Sequence, residues 1–387
     1  MSKNALIVGG NSGIGLSIAT TLLDDYDRVY IVGKDGVDFS KIDCQISEKL
    51  KSKTTFYKAN FICDDFSIFD KIREINTLVV TVGFGRVASF DSLTEAEVDN
   101  LIKVDFFSVA KIIKKYYPMI CSNDDFYTAV IGSIAGLVAS PLFSVYSAAK
   151  SGVCRLIENL NAELEAEGYS NRILNVSPGV MGGTSFYGKA TELSALSDLS
   201  LEIKDRMLRR EKLYIPKYDE TYRKVIDNYN ADPEKFATDS YRYKVDSGRI
   251  SNTPQVVVGY LSGTFDLFHI GHLNLLKRAK AECDYLIVGV HRSGSWKGKE
   301  TYIPFEERCK ILESNRYVDR VVESPNEDSD AWNLFHYDKL FVGSDYEGTE
   351  RFKRYEALLE GKAQIIYFPY TKSTSSTQLR DAIGKKE

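Results

Sequence analysis

A glycine-rich turn near the start of the chain limits the folds available to it. The apolar run Ala5–Val8 leads directly into G-G-N-S-G-I-G, residues 9–15, and then into the amphipathic stretch Leu16–Leu23. Glycine adopts backbone angles that other residues avoid, and the N–H groups at a helix start attract an anion. A glycine pattern alone also suits an ordinary tight turn. Its position between a strand and a helix favours a dinucleotide site in an α/β fold.

The same alternation of strand and helix continues along the chain. Further short apolar runs are Val29–Val32, Leu78–Val82, Thr128–Ile131 and Arg172–Val176, and Ala148–Glu165 is a long amphipathic stretch. This pattern predicts a parallel sheet with helices on both faces. Residues 185–252 are charged and rich in tyrosine, and we expect helical segments there without clear strands.

A second series of strands and helices begins at Gln255–Tyr260. Its other strand candidates are Tyr285–Val290, Arg320–Val322, Lys339–Val342 and Gln364–Phe368. The fold class expected is therefore α/β, with two doubly wound parallel-sheet (Rossmann-like) domains in series. We place them at 1–246 and 255–387, joined by a linker at 247–254.

Length, charge and cysteine placement restrict the class of protein. A chain of 387 residues is long enough for about two or three domains. Its formal net charge of −4 argues against nucleic-acid binding, and no apolar run approaches a membrane span. The first strand begins at once, which leaves no room for a signal peptide. The six cysteines show no metal-ligand spacing. We expect a cytoplasmic protein without disulfides or structural metal, acting on small molecules as a homo-oligomer, dimer or tetramer.

A tyrosine and a lysine share one face of the helix predicted around Ala148–Glu165. Tyr146 and Lys150 are four residues apart, so the ammonium can stabilise the phenolate. Ser133 follows the strand Thr128–Ile131 and can hydrogen-bond a carbonyl that accepts hydride. A buried tyrosine beside a solvated lysine is the alternative, but the glycine turn and Ser133 together make it a poor explanation.

On these motifs, residues 3–245 resemble the short-chain dehydrogenase/reductase family. The resemblance implies that Tyr146 is the general acid–base, that Lys150 binds the nicotinamide ribose and that Ser133 orients the substrate. The cofactor contacts that it implies are Gly9, Asn11, Ser12, Gly13, Ile14, Gly15, Asn60, Gly83, Pro178, Gly179 and Thr184.

Three positions depart from the family pattern. The family's N-N-A-G is Val80-Thr81-Val82-Gly83 here, Asn60 stands at an acidic position, and Asp105 replaces the relay asparagine. An ionised carboxylate accepts hydrogen bonds but donates none, so Asp105 puts the relay in doubt.

The residue after the second strand indicates the choice of cofactor. An enzyme that uses NAD usually places an aspartate there to bind the ribose hydroxyls. Lys34 occupies this place and would attract a 2′-phosphate. The sequence therefore predicts NADPH, unless Lys34 is only a solvated surface residue.

The second catalytic motif is G-T-F-D-L-F-H-I-G-H, from Gly263 to His272. His269 and His272 lie three residues apart at the start of the predicted helix Ile270–Ala281, on one helix face. Imidazoles and the N–H groups of a helix start both favour charge on phosphoryl oxygens. Zinc binding is the rival, but the H-E-x-x-H pattern and a nearby cysteine partner are missing.

Residues 255–383 resemble the H-x-G-H nucleotidyltransferases, most closely the glycerol-3-phosphate cytidylyltransferase group. Supporting segments include E-R-C-K-I-L-E (307–313), R-Y-V-D (316–319) and G-S-D-Y-E-G (343–348). The resemblance implies that the two histidines stabilise the α-phosphate of CTP. We expect Mg²⁺ to enter with CTP, because Lys297 and Lys299 alone would not balance the charge of the triphosphate. The other nucleotide or phosphate contacts that the resemblance implies are Gly263, Thr264, Phe265, Lys297, Lys299, Arg308, Asp345, Ser375 and Thr377. The group's final arginine is replaced by Tyr370, and Lys372 is a shifted substitute for its charge.

The two motifs together predict a bifunctional enzyme. The first domain would reduce a ketose phosphate, and the second would couple the alditol phosphate to CTP. Ribulose 5-phosphate, giving CDP-ribitol for a capsule or teichoic acid, is the first choice on pathway logic. The alternatives are dihydroxyacetone phosphate giving CDP-glycerol, and a cytidylyltransferase with a non-catalytic cofactor-binding domain.

Overall fold

The structure is a computed structural model that describes residues 2–63, 66–182, 192–251, 253–254, 256–293, 301–325, 327–369 and 378–379. Its contacts divide the chain into two compact units, Met1–Gln255 and Val256–Glu387. The division falls beside the linker predicted at 247–254. Within the described residues, no helix has both the length and the apolarity needed to cross a bilayer.

A parallel sheet forms the centre of the N-terminal unit. In the described residues its strands are β1 (Asn4–Val8), β2 (Arg28–Gly33), β3 (Thr54–Lys58), β4 (Thr77–Val80), β5 (Tyr127–Ile131), β6 (Ile173–Val176) and β7 (Leu213–Tyr214). The spatial order is β3-β2-β1-β4-β5-β6-β7, and every pairing is parallel. The order reverses between β1 and β4, where ligands of such sheets bind at the carboxyl ends of the strands.

Helices lie on both faces of this sheet, and two more follow its last strand along the chain. They are α1 (Gly13–Leu22), α2 (Cys44–Lys53), α3 (Glu95–Ile102), α4 (Ser108–Ile120), α5 (Ser144–Ala166), α6 (Leu193–Leu208), α7 (Arg223–Ala231) and α8 (Pro233–Asp246). Apolar residues of α1 and α6 pack with one side of the strands, and those of α4 and α5 pack with the other. Burial on both faces explains why β1, β4 and β6 are mostly apolar along their length.

The C-terminal unit repeats the architecture on a smaller scale. Its described elements are β8 (Val258–Gly263), α9 (Ile270–Ala281), β9 (Tyr285–Val290), α10 (Phe305–Glu313), β10 (Arg320–Glu323), α11 (Asp328–Phe335), β11 (Lys339–Gly343), α12 (Glu350–Leu359) and β12 (Gln364–Phe368). The parallel strands lie in the order β10-β9-β8-β11-β12, so the reversal falls beside β8. The predicted fold class, two parallel α/β domains in series, is confirmed.

The strands missed from the sequence are two at the margins of the larger sheet. β3 is partly exposed along its length, T-T-F-Y-K, and lacks the buried run that marked its neighbours. β7 has only two residues and lies in the segment for which no clear strands were predicted. That expectation was wrong at β7, because pairing with β6 forms this strand without any local pattern.

Candidate active sites

The glycine turn after β1 has the geometry of a phosphate-binding loop. Gly9 and Gly13 have φ values of +87° and +53°, in the left-handed region that favours glycine. A Cβ on Gly15 would collide with the carbonyl oxygen of Gly9. Ser12 precedes α1 without a side-chain capping bond, and the first turn of α1 carries no acidic residue. The turn fits the pyrophosphate of a nicotinamide dinucleotide, because its backbone can approach an anion at a helix start.

Other predicted cofactor contacts surround this turn. The side chain of Asn11 lies against Gly33 at the end of β2, and exposed Lys34 follows directly. Asn60, after β3, accepts a hydrogen bond from the Ile62 N–H at 3.1 Å. Ile14 packs against the core, so its side chain fixes α1 to the sheet. Thr184 lies outside the described residues.

Lys150 and Tyr146 come together at the start of α5. The buried ammonium of Lys150 lies 5.8 Å from the centroid of the Tyr146 ring. Its Nζ donates to the carbonyl oxygens of Val82 at 3.3 Å and Ile131 at 3.2 Å. Ile131 ends β5 and Val82 lies just after its neighbour β4, so the carboxyl ends of these strands position the lysine near the phenol.

Ser133 lies in the turn that follows β5. Its Oγ accepts a hydrogen bond from the Ala135 N–H at 3.1 Å, which leaves the Ser133 O–H able to donate. Ser147 Oγ donates to the Ala135 carbonyl at 2.6 Å, and Ser147 adjoins Tyr146. The structure therefore joins the Ser133 turn to the helix that carries Tyr146.

Asp105 is fully buried beside Lys150 in a π-helical turn, Lys103–Phe107. The ammonium of Lys150 is 3.4 Å from Oδ1, and the Phe84 N–H donates to Oδ2 at 3.2 Å. Burial raises the pKa of Asp105 to about 6, although the charge of Lys150 opposes the shift. Gly83 admits this pair, because a Cβ there would lie 2.5 Å from Oδ1 and 2.9 Å from Nζ. At neutral pH Asp105 holds Lys150 as a carboxylate, a role that the sequence left in doubt.

Pro178 and Gly179 follow β6 beside the Ser133 turn. The Pro178 carbonyl accepts a hydrogen bond from the Ile134 N–H at 3.0 Å. The phenol of Tyr222 covers Gly179 so closely that a Cβ there would collide with its hydroxyl. Tyr222 was not expected from the sequence, since it comes from the segment between β7 and α7.

In the C-terminal unit, the loop after β8 is strained around a buried carboxylate. Phe265 and Leu267 have φ values of +52° and +49°, which are costly for residues with side chains. Between them, Asp266 is 3% exposed and accepts hydrogen bonds from the N–H groups of Tyr302, at 3.1 Å, and Ile303, at 2.9 Å. Asp266 stood in the quoted motif but was not among the predicted site residues.

The two histidines meet at the start of α9. Their rings stack with centroids 4.0 Å apart. His269 caps the helix, and its Nδ1 accepts from the Gly271 N–H at 3.0 Å, so in the neutral ring Nε2 carries the proton. Burial lowers the pKa of both imidazoles, that of His272 to about 3, where His269 contributes further. At neutral pH His272 is therefore a neutral ring that acts through hydrogen bonds rather than charge.

His272 Nδ1 is buried without a hydrogen-bond partner among the described residues. Such an atom is costly unless a ligand satisfies it. The orphaned atom at a helix start fits a nucleotide phosphate.

Arg308, at the start of α10, organises the loops around this site. It is 1% exposed, and its guanidinium donates to the carbonyls of Ile303, His291 and Arg292 at 2.9 Å each, and to that of Thr264. Arg308 therefore shapes the loops through their backbone.

Some of the remaining predicted contacts of the second site lie within the described residues and others do not. Asp345 follows β11, is exposed and folds over Gly343. Gly263 ends β8, and a Cβ there would lie 2.9 Å from the Phe265 ring. Those that fall outside the described residues are Lys297, Lys299, Ser375 and Thr377.

Comparisons with known proteins agree with the two domains. Residues 3–193 match the short chain dehydrogenase family, and residues 260–382 match the cytidylyltransferase-like family. The chain is 35% identical to the glycerol-3-phosphate cytidylyltransferase of Bacillus subtilis over 126 residues, covering 32% of this chain and 93% of that protein. The same enzyme of Staphylococcus aureus is 35% identical over 129 residues, covering 32% of this chain and 93% of that protein.

The N-terminal unit has more distant relatives. Retinol dehydrogenase 8 of Bos taurus is 26% identical over 231 residues, covering 58% of this chain and 73% of that protein. A crystal structure of a short-chain dehydrogenase from Streptomyces avermitilis covers 64% of this chain and 99% of its own, with a TM-score of 0.50 and 18% identity. This structural likeness shows the fold.

Folds, motifs and relatives define a bifunctional enzyme, a reductase fused to a nucleotidyltransferase. The chain carries an N-terminal short-chain dehydrogenase domain, and through its C-terminal unit it belongs to the cytidylyltransferase-like family.

Proposed function

We propose that this enzyme reduces a ketose phosphate with NADPH and couples the resulting alditol phosphate to CTP, with Mg²⁺ entering on the nucleotide. The products are a CDP-alditol and pyrophosphate. The observation that carries the proposal is the presence, on one chain, of the Tyr146–Lys150–Asp105 arrangement and the stacked pair His269 and His272.

In the reductase, this chain's residues orient the carbonyl and supply the proton. When bound, NADPH supplies the hydride. The Ser133 O–H donates to the carbonyl oxygen, and Tyr146 gives its phenolic proton to the same oxygen as the alcohol forms. The ammonium of Lys150 stabilises the phenolate left behind, and Asp105 holds that ammonium in place.

In the cytidylyltransferase, a phosphate oxygen of the alditol phosphate attacks the α-phosphorus of CTP. A new P–O bond forms, and the bond to the pyrophosphate leaving group breaks. His269 and His272 donate hydrogen bonds to α-phosphate oxygens, where negative charge builds in the transition state. Both rings are poised for this as neutral donors.

Ribulose 5-phosphate is the ketose that we favour, giving ribitol 5-phosphate and CDP-ribitol. Glycerol 3-phosphate is already supplied by lipid metabolism, so an attached reductase suggests a polyol phosphate that the cell otherwise lacks. The second candidate is dihydroxyacetone phosphate, giving CDP-glycerol. It is favoured by the 35% identity to glycerol-3-phosphate cytidylyltransferases.

The test is a panel of ketose phosphates incubated with the full-length protein, NADPH, CTP and Mg²⁺, with products identified by mass. We expect CDP-ribitol from ribulose 5-phosphate. Tyr146→Phe should lower reduction by about 10²–10⁴-fold and leave cytidylyl transfer to added ribitol 5-phosphate unchanged. The alternative is a non-catalytic N-terminal domain. In that case the protein would make CDP-ribitol only from added ribitol 5-phosphate, and none of the ketose phosphates would cause NADPH to be oxidised.

A further inference from the structure

Four side chains near the end of the N-terminal unit form a cationic group that the mechanism above does not use. We name it the Lys244 cluster: Lys244, Arg249, Tyr222 and Tyr243. Lys244 lies on α8 and is 8% exposed, Arg249 follows α8 and is half-buried, and Tyr222 precedes α7.

Lys244 is held one aromatic ring away from the catalytic phenol. Its Nζ donates to Ser140 Oγ at 2.8 Å and to the Pro141 carbonyl at 2.7 Å. The same ammonium lies 5.3 Å from the centroid of the Phe143 ring, and that ring lies 5.3 Å from the ring of Tyr146. The loop that accepts Lys244 therefore leads directly into the turn of α5 that carries Tyr146.

Arg249 and Tyr222 connect the cluster to the turn that follows β6. Arg249 donates to the Tyr243 hydroxyl at 3.0 Å, and its charge acts on both Tyr222 and Lys244. The Tyr222 hydroxyl accepts from the Val180 N–H and covers Gly179, beside the Ser133 turn.

The chain after Arg249 is fixed to the same region. Ser251 N–H donates to the Val87 carbonyl at 2.8 Å, and the guanidinium of Arg86 binds the Ser251 carbonyl. Val87 belongs to the segment that follows β4 and packs with Tyr146. The cluster thus lies among segments that surround the reductase site.

The charges of the cluster are unbalanced. No carboxylate of the described residues pairs with Lys244 or Arg249. Three other buried cations are each paired with a carboxylate: Lys150 with Asp105, Arg86 with Glu97 and Lys280 with Asp319. Burial and, to a smaller extent, the charge of Arg249 lower the pKa of Lys244 to about 8. A buried cation beside a second, half-buried cation is unfavourable unless an anion joins them.

We propose that Lys244 and Arg249 form a subsite for the phosphate group of the reductase substrate. The phosphate dianion binds at the cluster, while the carbonyl at the other end of the substrate reaches Tyr146 and Ser133. This assignment rests on the proposed reduction of a ketose phosphate, and it makes the Lys244 cluster the element that selects phosphorylated over neutral ketoses. Lys244 contributes its third N–H, since two are already donated to the loop.

The test compares full-length Lys244→Met with the wild-type protein in NADPH oxidation, without CTP. A charge-assisted hydrogen bond contributes about 1.5–3 kcal/mol, so kcat/KM for ribulose 5-phosphate should fall about 10- to 100-fold. Activity on unphosphorylated ribulose and the KM for NADPH should stay within about twofold. Inorganic phosphate should inhibit the wild type competitively against ribulose 5-phosphate and should inhibit the variant far more weakly.

Three further variants distinguish a loss of phosphate binding from a loss of folding. Lys235→Met alters an exposed lysine of the same helix, paired with Asp239, and should behave as the wild type. Lys244→Arg should recover much of the selectivity, because it keeps the charge. Arg249→Met, at a less buried position, should show the same selective loss even if Lys244→Met does not fold.

Equal losses for ribulose and ribulose 5-phosphate, or unchanged selectivity in the folded variants, would overturn the subsite. A wild-type protein that reduces no ketose phosphate would overturn the proposed function instead, and the subsite with it. The two failures are therefore distinguishable.

Discussion

Asp105 holds Lys150 in the reductase site, but its buried carboxylate lowers the stability of the N-terminal unit at neutral pH. The family has an asparagine at this place, whereas this chain buries a carboxylate completely. Its pKa is raised to about 6, above the usual 3.8, and that value already includes the attraction of Lys150. The stabilising contribution of the neutral carboxyl is therefore complete below about pH 4 and is lost as the pH rises through about 6.

Asp105→Asn should consequently stabilise the N-terminal unit above pH 6, because an amide cannot ionise. The gain should be on the order of 1–3 kcal/mol at pH 8 and should vanish near pH 4. Thermal unfolding between pH 4 and 8 measures it, with Asp99→Asn at an exposed position of α3 as the control. A wild type as stable as the variant at pH 8 would contradict the raised pKa.

His272 gives a second prediction at the residue scale. Because its pKa is lowered to about 3, the ring is neutral throughout pH 5–9. His272→Ala should lower cytidylyl transfer about 10²–10³-fold, and the wild-type rate should show no step from this imidazole near pH 6.5. Rates of CDP-alditol formation at each pH test both statements.

His336→Asn is the matched control for His272→Ala. His336 caps α11 with φ +44°, a conformation that asparagine tolerates, and it lies apart from the paired imidazoles. If His336→Asn lowered cytidylyl transfer as much as His272→Ala, the loss would not be specific to His272.

At the scale of elements, the end of β2 should decide the nucleotide. Lys34 follows this strand directly and is exposed, beside the turn that fits the pyrophosphate. Lys34→Asp should shift the ratio of kcat/KM for NADPH over NADH toward NADH, because a carboxylate repels the 2′-phosphate. Lys71→Asp, exposed and remote in sequence, serves as the control. Unchanged selectivity would place Lys34 away from the adenine ribose.

Arg308 supports the second site as a junction between elements. Its bonds join the loop after β8, the segment after β9 and the approach to α10. Arg308→Lys cannot span them, because an ammonium lacks the planar fork. The variant should show a lower melting temperature of the C-terminal unit and a higher KM for CTP, while the reductase keeps its rate. Exposed Arg316→Lys should change neither quantity, and a normal KM for CTP in Arg308→Lys would refute this supporting role.

Helices and strands that carry a clear hydrophobic pattern or a motif were predictable from the sequence. Those that depend on tertiary contacts were not. β9, β12 and α9 begin and end at the residues predicted, because buried runs and a motif mark them. β3 and β7 carry no such signal and depend on pairing with their neighbours. The motifs predicted Tyr146, Lys150 and the two histidines as site residues. Lys244 escaped notice, since a lysine on a charged helix looks like a solvated residue until the fold buries it.

At the scale of the whole molecule, the order of the two reactions sets what each single-site variant accumulates. In the proposed sequence of reactions, Tyr146→Phe should leave the ketose phosphate unreduced, so that the second site receives no substrate. His272→Ala should still reduce the ketose phosphate, and the alditol phosphate should accumulate in solution. Each variant retains the function that the other has lost.

Mixing the two variants should therefore restore CDP-alditol formation from ketose phosphate, NADPH, CTP and Mg²⁺. Product should appear after a lag, because free alditol phosphate must first rise toward the KM of the intact second site. Adding ribitol 5-phosphate at the start should abolish the lag, and either variant alone should form at most about 1% of the wild-type product. A mixture that forms no product, although each variant performs its remaining reaction at the normal rate, would show that the intermediate must pass within one chain.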